Sequence, residues 1–167
     1  PSICTWVPFN ESWGILQGAT SRAQREFAQG VVALTRALDP SRPVISNDGW
    51  EHTSSDMWTI HDYTQDPRVL ATRYASRDSI ESMIAGFGPS GRRMSVEPGR
   101  MSRDLPVMVT EFGGIAVAPD ARTDSNADTW GYAQAGSADD FEQRLTGIFD
   151  ALHESPWLAG FCYTQLT

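Results

Sequence analysis

Strand-sized apolar runs alternate with helix-length amphipathic stretches along this chain, and that alternation sets what it can fold into. The first run is about 2–9, with Ile3-Cys4-Thr5-Trp6-Val7 at its centre. A helix is expected over about 22–38. Ser21 and Gln24 have capping-box spacing, Phe27, Val31, Leu34 and Leu38 form one apolar stripe, and Asp39-Pro40 stops it. Pro43-Val44-Ile45-Ser46 reads as a short strand and Met57 to Asp62 as the next. Asp66-Pro67 opens a helix that reaches about 85. A strand at 106–110, a helix at about 138–153 capped by Ser137, and a strand at 158–165 complete the order. Strands alternating with helices imply parallel βα units, an α/β fold. Residues 86–103 and 113–136 lack periodicity and are expected to be the least ordered parts.

Two of the apolar runs end in the same way. Trp6-Val7-Pro8-Phe9-Asn10-Glu11 leads into Ser12-Trp13-Gly14, and Pro106-Val107-Met108-Val109-Thr110-Glu111 leads into Phe112-Gly113-Gly114. A carboxylate at the carboxyl end of a buried strand does little for stability. In an α/β barrel that end of the strands carries the active site. A pair of such carboxylates suits glycoside hydrolysis, which needs one ionised carboxyl and one protonated one.

Composition narrows the choice. The chain of 167 residues has a net charge of −8, with 13 arginines and no lysine. A nucleic-acid partner would call for a basic stripe, which is absent, so a neutral substrate fits better. No apolar run is long enough to span a bilayer, so no membrane partner is expected. Cys4 and Cys162 fall in apolar runs and are expected to be two buried thiols. His52, His61 and His153 lack metal-ligand spacing, and no phosphate cradle or cofactor motif occurs, so neither metal nor cofactor is expected. Pro1 is no natural initiator and the first strand begins at once. The chain is therefore expected to be a piece of a longer protein, residues 1–167 forming one portion of a catalytic domain.

Five motifs occur in order: Asn10-Glu11-Ser12-Trp13-Gly14, Asn47-Asp48-Gly49-Trp50, Ile60-His61-Asp62-Tyr63, Thr110-Glu111-Phe112-Gly113-Gly114, and Tyr163-Thr164-Gln165-Leu166-Thr167. Together they resemble the catalytic barrel of glycoside hydrolase family 2, from the fourth barrel strand to the eighth. The resemblance implies a partial (β/α)8 TIM barrel and a retaining hydrolase of β-glycosides, galactosidase-like, with a carbohydrate as partner. It makes Glu11 the acid/base and Glu111 the nucleophile. Asn10 would bond the sugar 2-hydroxyl, or simply form the turn. Tyr63 would orient the nucleophile, or pack at the rim. His61 matches a family histidine, though a core role is as natural. Asn47, Asp48 and Trp50 would contact sugar hydroxyls and offer an aromatic platform, with loop capping by Asp48 as the other reading. Trp13, Trp130 and Tyr163 would stack on sugar rings or pack internally. A binding or scaffold protein on a degenerate barrel is the alternative. With strands one to three absent, the isolated chain is expected to self-associate through its open edges.

Overall fold

The computed structural model describes residues 2–117 and 132–165. Its central element is a three-stranded parallel sheet in the order β1-β2-β5, built from β1 (Trp58–Asp62), β2 (Val107–Gly113) and β5 (Gly160–Thr164). Connections between parallel strands must cross over, and here they do so through helices. Helix α1 (Arg22–Leu38) precedes β1. Helices α2 (Pro67–Arg73) and α3 (Arg77–Ala85) lie between β1 and β2, and α4 (Ala138–His153) comes before β5. A second pair, β3 (Ile115–Val117) and β4 (Ala133–Ala135), is also parallel. The described sheets are small, and none of the described helices is long and apolar enough to cross a membrane.

One face of the sheet meets the helices. Trp58 and Ile60 of β1 and Val107, Val109 and Phe112 of β2 join Leu70, Tyr74, Ile80, Ile84, Ile148 and Leu152 in a single buried cluster. Burying a side chain of this size is worth about 1.5–3 kcal/mol. Tyr74 is fully buried, and its hydroxyl donates to Asp62 Oδ2 (2.8 Å), which also accepts from Arg73. That anchor coincides with a break in the helix expected over 66–85. Tyr74 caps α2, and Ser76 starts α3 by accepting from the Ser79 amide.

The two N-terminal strands do not form as expected. Residues 6–10 and 44–48 run parallel but touch only at bridges between Trp6 and Val44 and between Asn10 and Asp48. Pro8 and Pro43 have no amide to donate. On the edge away from residues 6–10, the Val44 amide goes to Asp56 Oδ2 and the Ser46 amide to Ser55 Oγ, so side chains rather than a neighbouring strand cover that edge.

Three further expectations are corrected. The stripe of α1 is not its buried face: Phe27, Leu34 and Leu38 are 57%, 59% and 78% exposed, while Ala28 and Val32 are buried. The helix packs through its smaller residues. Residues 86–103 are not a loose loop. Met94 and Met101 are buried, and the Glu51 and His52 amides donate to the Arg93 and Met94 carbonyls. Two methionines were enough to anchor a stretch otherwise rich in Gly, Pro, Ser and Arg. Cys4 and Cys162 are exposed free thiols rather than buried ones; Cys162 lies on β5, at one end of the three-strand order. In the expected irregular stretch 113–136, β3 and β4 are strands, and residues 118–131 lie outside the described residues.

His52 stitches the 86–103 segment to β1. It is fully buried, with Nδ1 against Ser55 Oγ (2.7 Å) and Nε2 against the Thr59 carbonyl (3.0 Å). Burial pushes its pKa down to about 4, against the opposing pull of the Thr59 carbonyl and the Asp48 charge. The unfolded chain therefore binds a proton here that the folded chain refuses. Stability from this group is complete above the ordinary value of 6.5 and is lost as pH falls toward 4. We expect about 3 kcal/mol of acid destabilisation across that window, measured by urea unfolding, and a smaller slope in His52→Gln. An unchanged slope would show that His52 is not held neutral.

Candidate active site

The functional side chains gather at the carboxyl ends of the parallel segments, on the sheet face opposite the helices. Their placement begins with an irregularity in β2. Ile60 pairs with Val109, but His61 pairs with Glu111, so Thr110 is an extra residue. The register with β5 shifts over the same stretch. Such a bulge re-aims side chains. Val109 and Phe112 both reach the helix-side core although three positions apart. Thr110 and Glu111 are thereby both free to serve the other face. The Thr110 hydroxyl donates to Asp48 Oδ1 (2.6 Å), and Glu111 Oε2 accepts from the Tyr63 hydroxyl (2.6 Å).

Glu11 is carried by a turn. Glu11 and Ser12 have φ of 50° and 64°, a left-handed conformation that costs non-glycine residues roughly 1–3 kcal/mol each. Buried polar contacts hold it. Asn47 Oδ1 accepts from the Ser12 amide (2.9 Å), and Asn47 Nδ2 donates to Ser12 Oγ (3.1 Å) and the Trp50 carbonyl (2.6 Å). Ser12 Oγ donates to Glu51 Oε2 (2.5 Å), and Arg92 pairs with Glu51 Oε1 (3.0 Å). Asn47 is fully buried and its amide is committed to this turn.

His61 joins the parts. Its ring is fully buried, with Nδ1 2.8 Å from Glu11 Oε1 and 3.3 Å from Glu111 Oε2, and Nε2 3.5 Å from Asp48 Oδ2. Burial alone would lower its pKa, but Asp48, Glu11 and Glu111 outweigh it and the net direction is upward. For Asp48 burial pushes the carboxyl up, yet the His61 hydrogen bond and charge, with the Thr110 hydroxyl, bring it below the ordinary value. Burial, then the Glu111 carboxylate, hold the Tyr63 phenol far above its usual range, so it stays a donor.

Aromatic groups wall the cleft. Trp50 meets the His61 ring edge-on at 5.6 Å, and Tyr132 stacks on Tyr63 at 3.8 Å. The cleft is about 440 Å³ and is lined by Glu11, Trp50, Tyr63, Pro89, Ser90 and Tyr132. A second cavity of about 430 Å³, between Arg77, Pro106 and Trp157, opens at the amino ends of β2 and β5, away from the carboxylates.

The structure thus brings Glu11, Asp48, Trp50, His61, Tyr63 and Glu111 together. Asn10 is exposed beside Glu11, and its side chain makes no hydrogen bond among the described residues. Tyr163 is half-buried against Phe112 and Phe149, at 5.7 and 6.0 Å, on the helix side. Trp13 is exposed, and Trp130 lies outside the described residues. Thr110 and Tyr132 were not singled out by the sequence. Thr110 was hidden by the bulge, since regular alternation gives adjacent residues opposite faces. Tyr132 lay in a stretch with no pattern. The sequence also missed a metal-competent set: one donor atom from each of Glu11, His61 and Glu111 lies within 4.8 Å of the other two.

No protein-family model matches the chain, and no curated protein sequence matches it. Solved structures do. A β-D-glucuronidase from Dictyoglomus thermophilum superposes with a TM-score of 0.58 at 16% identity, over 99% of this chain and 25% of that one. A GH2 β-galacturonidase from Eisenbergiella tayi gives 0.59 at 18% identity, over 99% and 26%. A β-glucuronidase from Bacteroides uniformis gives 0.56 at 14%, over 99% and 19%. At such identities the likeness establishes a shared α/β fold, and the chain spans about a quarter of the length of the first two.

Gly49 tests how tightly the imidazole is seated. It has φ of +90°, and a Cβ there would sit 2.6 Å from His61 Cγ. Gly49→Ala should therefore displace the ring and cost about 1–3 kcal/mol. We expect a lowered melting temperature together with a shifted His61 imidazole resonance. A variant with wild-type values of both would show that the ring has room.

Proposed function

We propose that this chain is the carboxyl-terminal part, strands four to eight, of the (β/α)8 catalytic barrel of a retaining β-glycosidase, and that turnover belongs to a longer parent polypeptide. One observation carries the reading: an oxygen of Glu11 and an oxygen of Glu111 lie within 4.8 Å of each other. Retaining glycosidases place their carboxyls about 5–5.5 Å apart, whereas inverting ones leave about 6.5–9.5 Å for a water molecule. The fold shared with family 2 uronidases supports the same reading.

Each side chain then has a role. Glu111 attacks the anomeric carbon as a carboxylate while Glu11 gives its proton to the departing oxygen. A glycosyl ester forms on Glu111, and Glu11 next takes a proton from the water that hydrolyses it. The Tyr63 hydroxyl, bonded to Glu111 Oε2, holds the attacking group in line. His61 keeps Glu11 beside Glu111. Asn10 faces the 2-hydroxyl, and Trp50 with Tyr132 supplies apolar walls for the sugar. The chain has no lysine to hold a substrate carboxylate, although one of its arginines could substitute, and a β-galactoside is placed first.

Nitrophenyl glycosides and the parent enzyme test this. Glu111→Gln should abolish glycosylation by many orders of magnitude, since an amide cannot form the ester. Glu11→Gln should lose far less on a substrate whose leaving group needs no proton. Equal losses in the two variants on an activated aryl glycoside would refute the roles, and wild-type inactivity on every glycoside would favour a binding or scaffold protein.

The same reading makes the isolated chain incomplete. Ile3, Val7, Trp13 and Leu16 near the first strand, and Phe27, Leu34 and Leu38 on α1, are exposed. We expect the isolated chain to self-associate in sedimentation and to show negligible turnover. A monomer at high concentration would count against the truncated barrel.

A further inference from the structure

We propose that Glu11, His61 and Glu111 form a binding site for a divalent transition-metal ion, with Zn2+ as the first choice, and that occupancy closes the active site reversibly. This goes beyond the glycosidase reading and does not require turnover.

The donor set is one imidazole nitrogen and two carboxylate oxygens, a mixture that suits Zn2+ better than the all-oxygen preferences of Ca2+ or Mg2+. The spacing is also right. A tetrahedral ion with bonds of about 2.0–2.1 Å needs donors roughly 3.3 Å apart. His61 Nδ1 is 3.3 Å from Glu111 Oε2 and 2.8 Å from Glu11 Oε1, and all three donors lie within 4.8 Å of one another. The Glu11 and Glu111 side chains are 23% and 24% exposed. Glu11 lines the cleft, so water can reach a fourth position from that side.

The surroundings of the imidazole carry the argument further. A metal-bound histidine directs its other ring N–H to a carboxylate that fixes the tautomer. Here Nε2 is buried, makes no hydrogen bond of ordinary length, and faces Asp48 Oδ2 at 3.5 Å. Asp48 is itself held by the Thr110 hydroxyl at 2.6 Å. Nδ1 shares a proton with Glu11 Oε1 at 2.8 Å, so a metal ion enters by displacing that proton, and its charge then offsets the repulsion between the two carboxylates. No Arg comes within ion-pair distance of Glu11, Asp48 or Glu111 among the described residues, so no guanidinium occupies the place. Binding would take both candidate catalytic carboxylates out of action at once.

The test is calorimetric titration of the whole polypeptide with Zn2+ in a non-chelating buffer, with Co2+ absorption as a second readout. We expect one site per chain. Glu11→Gln and Glu111→Gln should each weaken it by more than about tenfold, and His61→Gln should abolish it and the Co2+ band together. His153→Gln, on an exposed residue of α4, should change nothing. Should His61→Gln fail to fold, the two Glu→Gln variants decide alone, being isosteric and partly exposed. Unaltered zinc affinity in both, with circular dichroism unchanged, would overturn the proposal. Zinc binding by a parent polypeptide that turns over no glycoside would leave it standing while refuting the hydrolase reading, and turnover by the parent without zinc binding would do the reverse.

Discussion

A buried imidazole tied to three carboxylates organises this molecule. A charge removed from water must be paired, or it neutralises. His61 is fully enclosed and meets that condition with Glu11, Asp48 and Glu111. The three acids come from segments far apart in the chain: a turn, the end of residues 44–48, and β2. Much of the local architecture serves to leave the ring its place. Gly49 supplies the space above it, and Thr110 fixes Asp48 beneath it.

The same arrangement explains why polar burial is concentrated near one end of the sheet. Ser12, Asn47, Asp48, Glu51, His52, His61 and Asp62 are all buried, and the bonds described above satisfy most of their polar atoms. Networks of this kind are stabilising only when nearly complete. The Asn47–Ser12–Glu51–Arg92 chain holds the left-handed turn at Glu11, and the price is an asparagine that faces inward rather than toward a ligand.

How much of this was legible in the sequence differs from element to element. The caps at Ser21, Asp66 and Ser137 were read correctly because a side-chain oxygen near an orphan amide is a local signal. The 58–62, 107–113 and 160–164 strands were read because each is a short apolar run. The buried face of α1 was misread because Phe27 and Leu34 are more hydrophobic than Ala28 and Val32, yet the smaller pair allows the closer approach. The strands expected over 2–9 and 43–46 reduce to two bridges, and Pro8 and Pro43, which have no amide to donate, weigh against a continuous ladder in a way a count of apolar residues does not report. At the site, Glu11 and Glu111 stood out through their position after apolar runs. Thr110 did not, since its exposure to the site depends on a register slip that only the pairing partners define.

Glu11 and Glu111 rest on supports of unequal stiffness. Glu111 lies inside a strand flanked by β1 and β5, with β2 at the middle of the sheet. Glu11 rides on a short turn whose backbone is joined to the rest by the amide of residue 11 and a handful of side chains. Local opening begins where such bonds are few. The strand carboxylate is therefore the fixed reference of the pair, and the turn carboxylate is the adjustable one. Evolutionary drift, thermal fluctuation or a ligand that alters the separation between them has one low-resistance route, through residues 10–14. The gap between the carboxylates is tuned from one side.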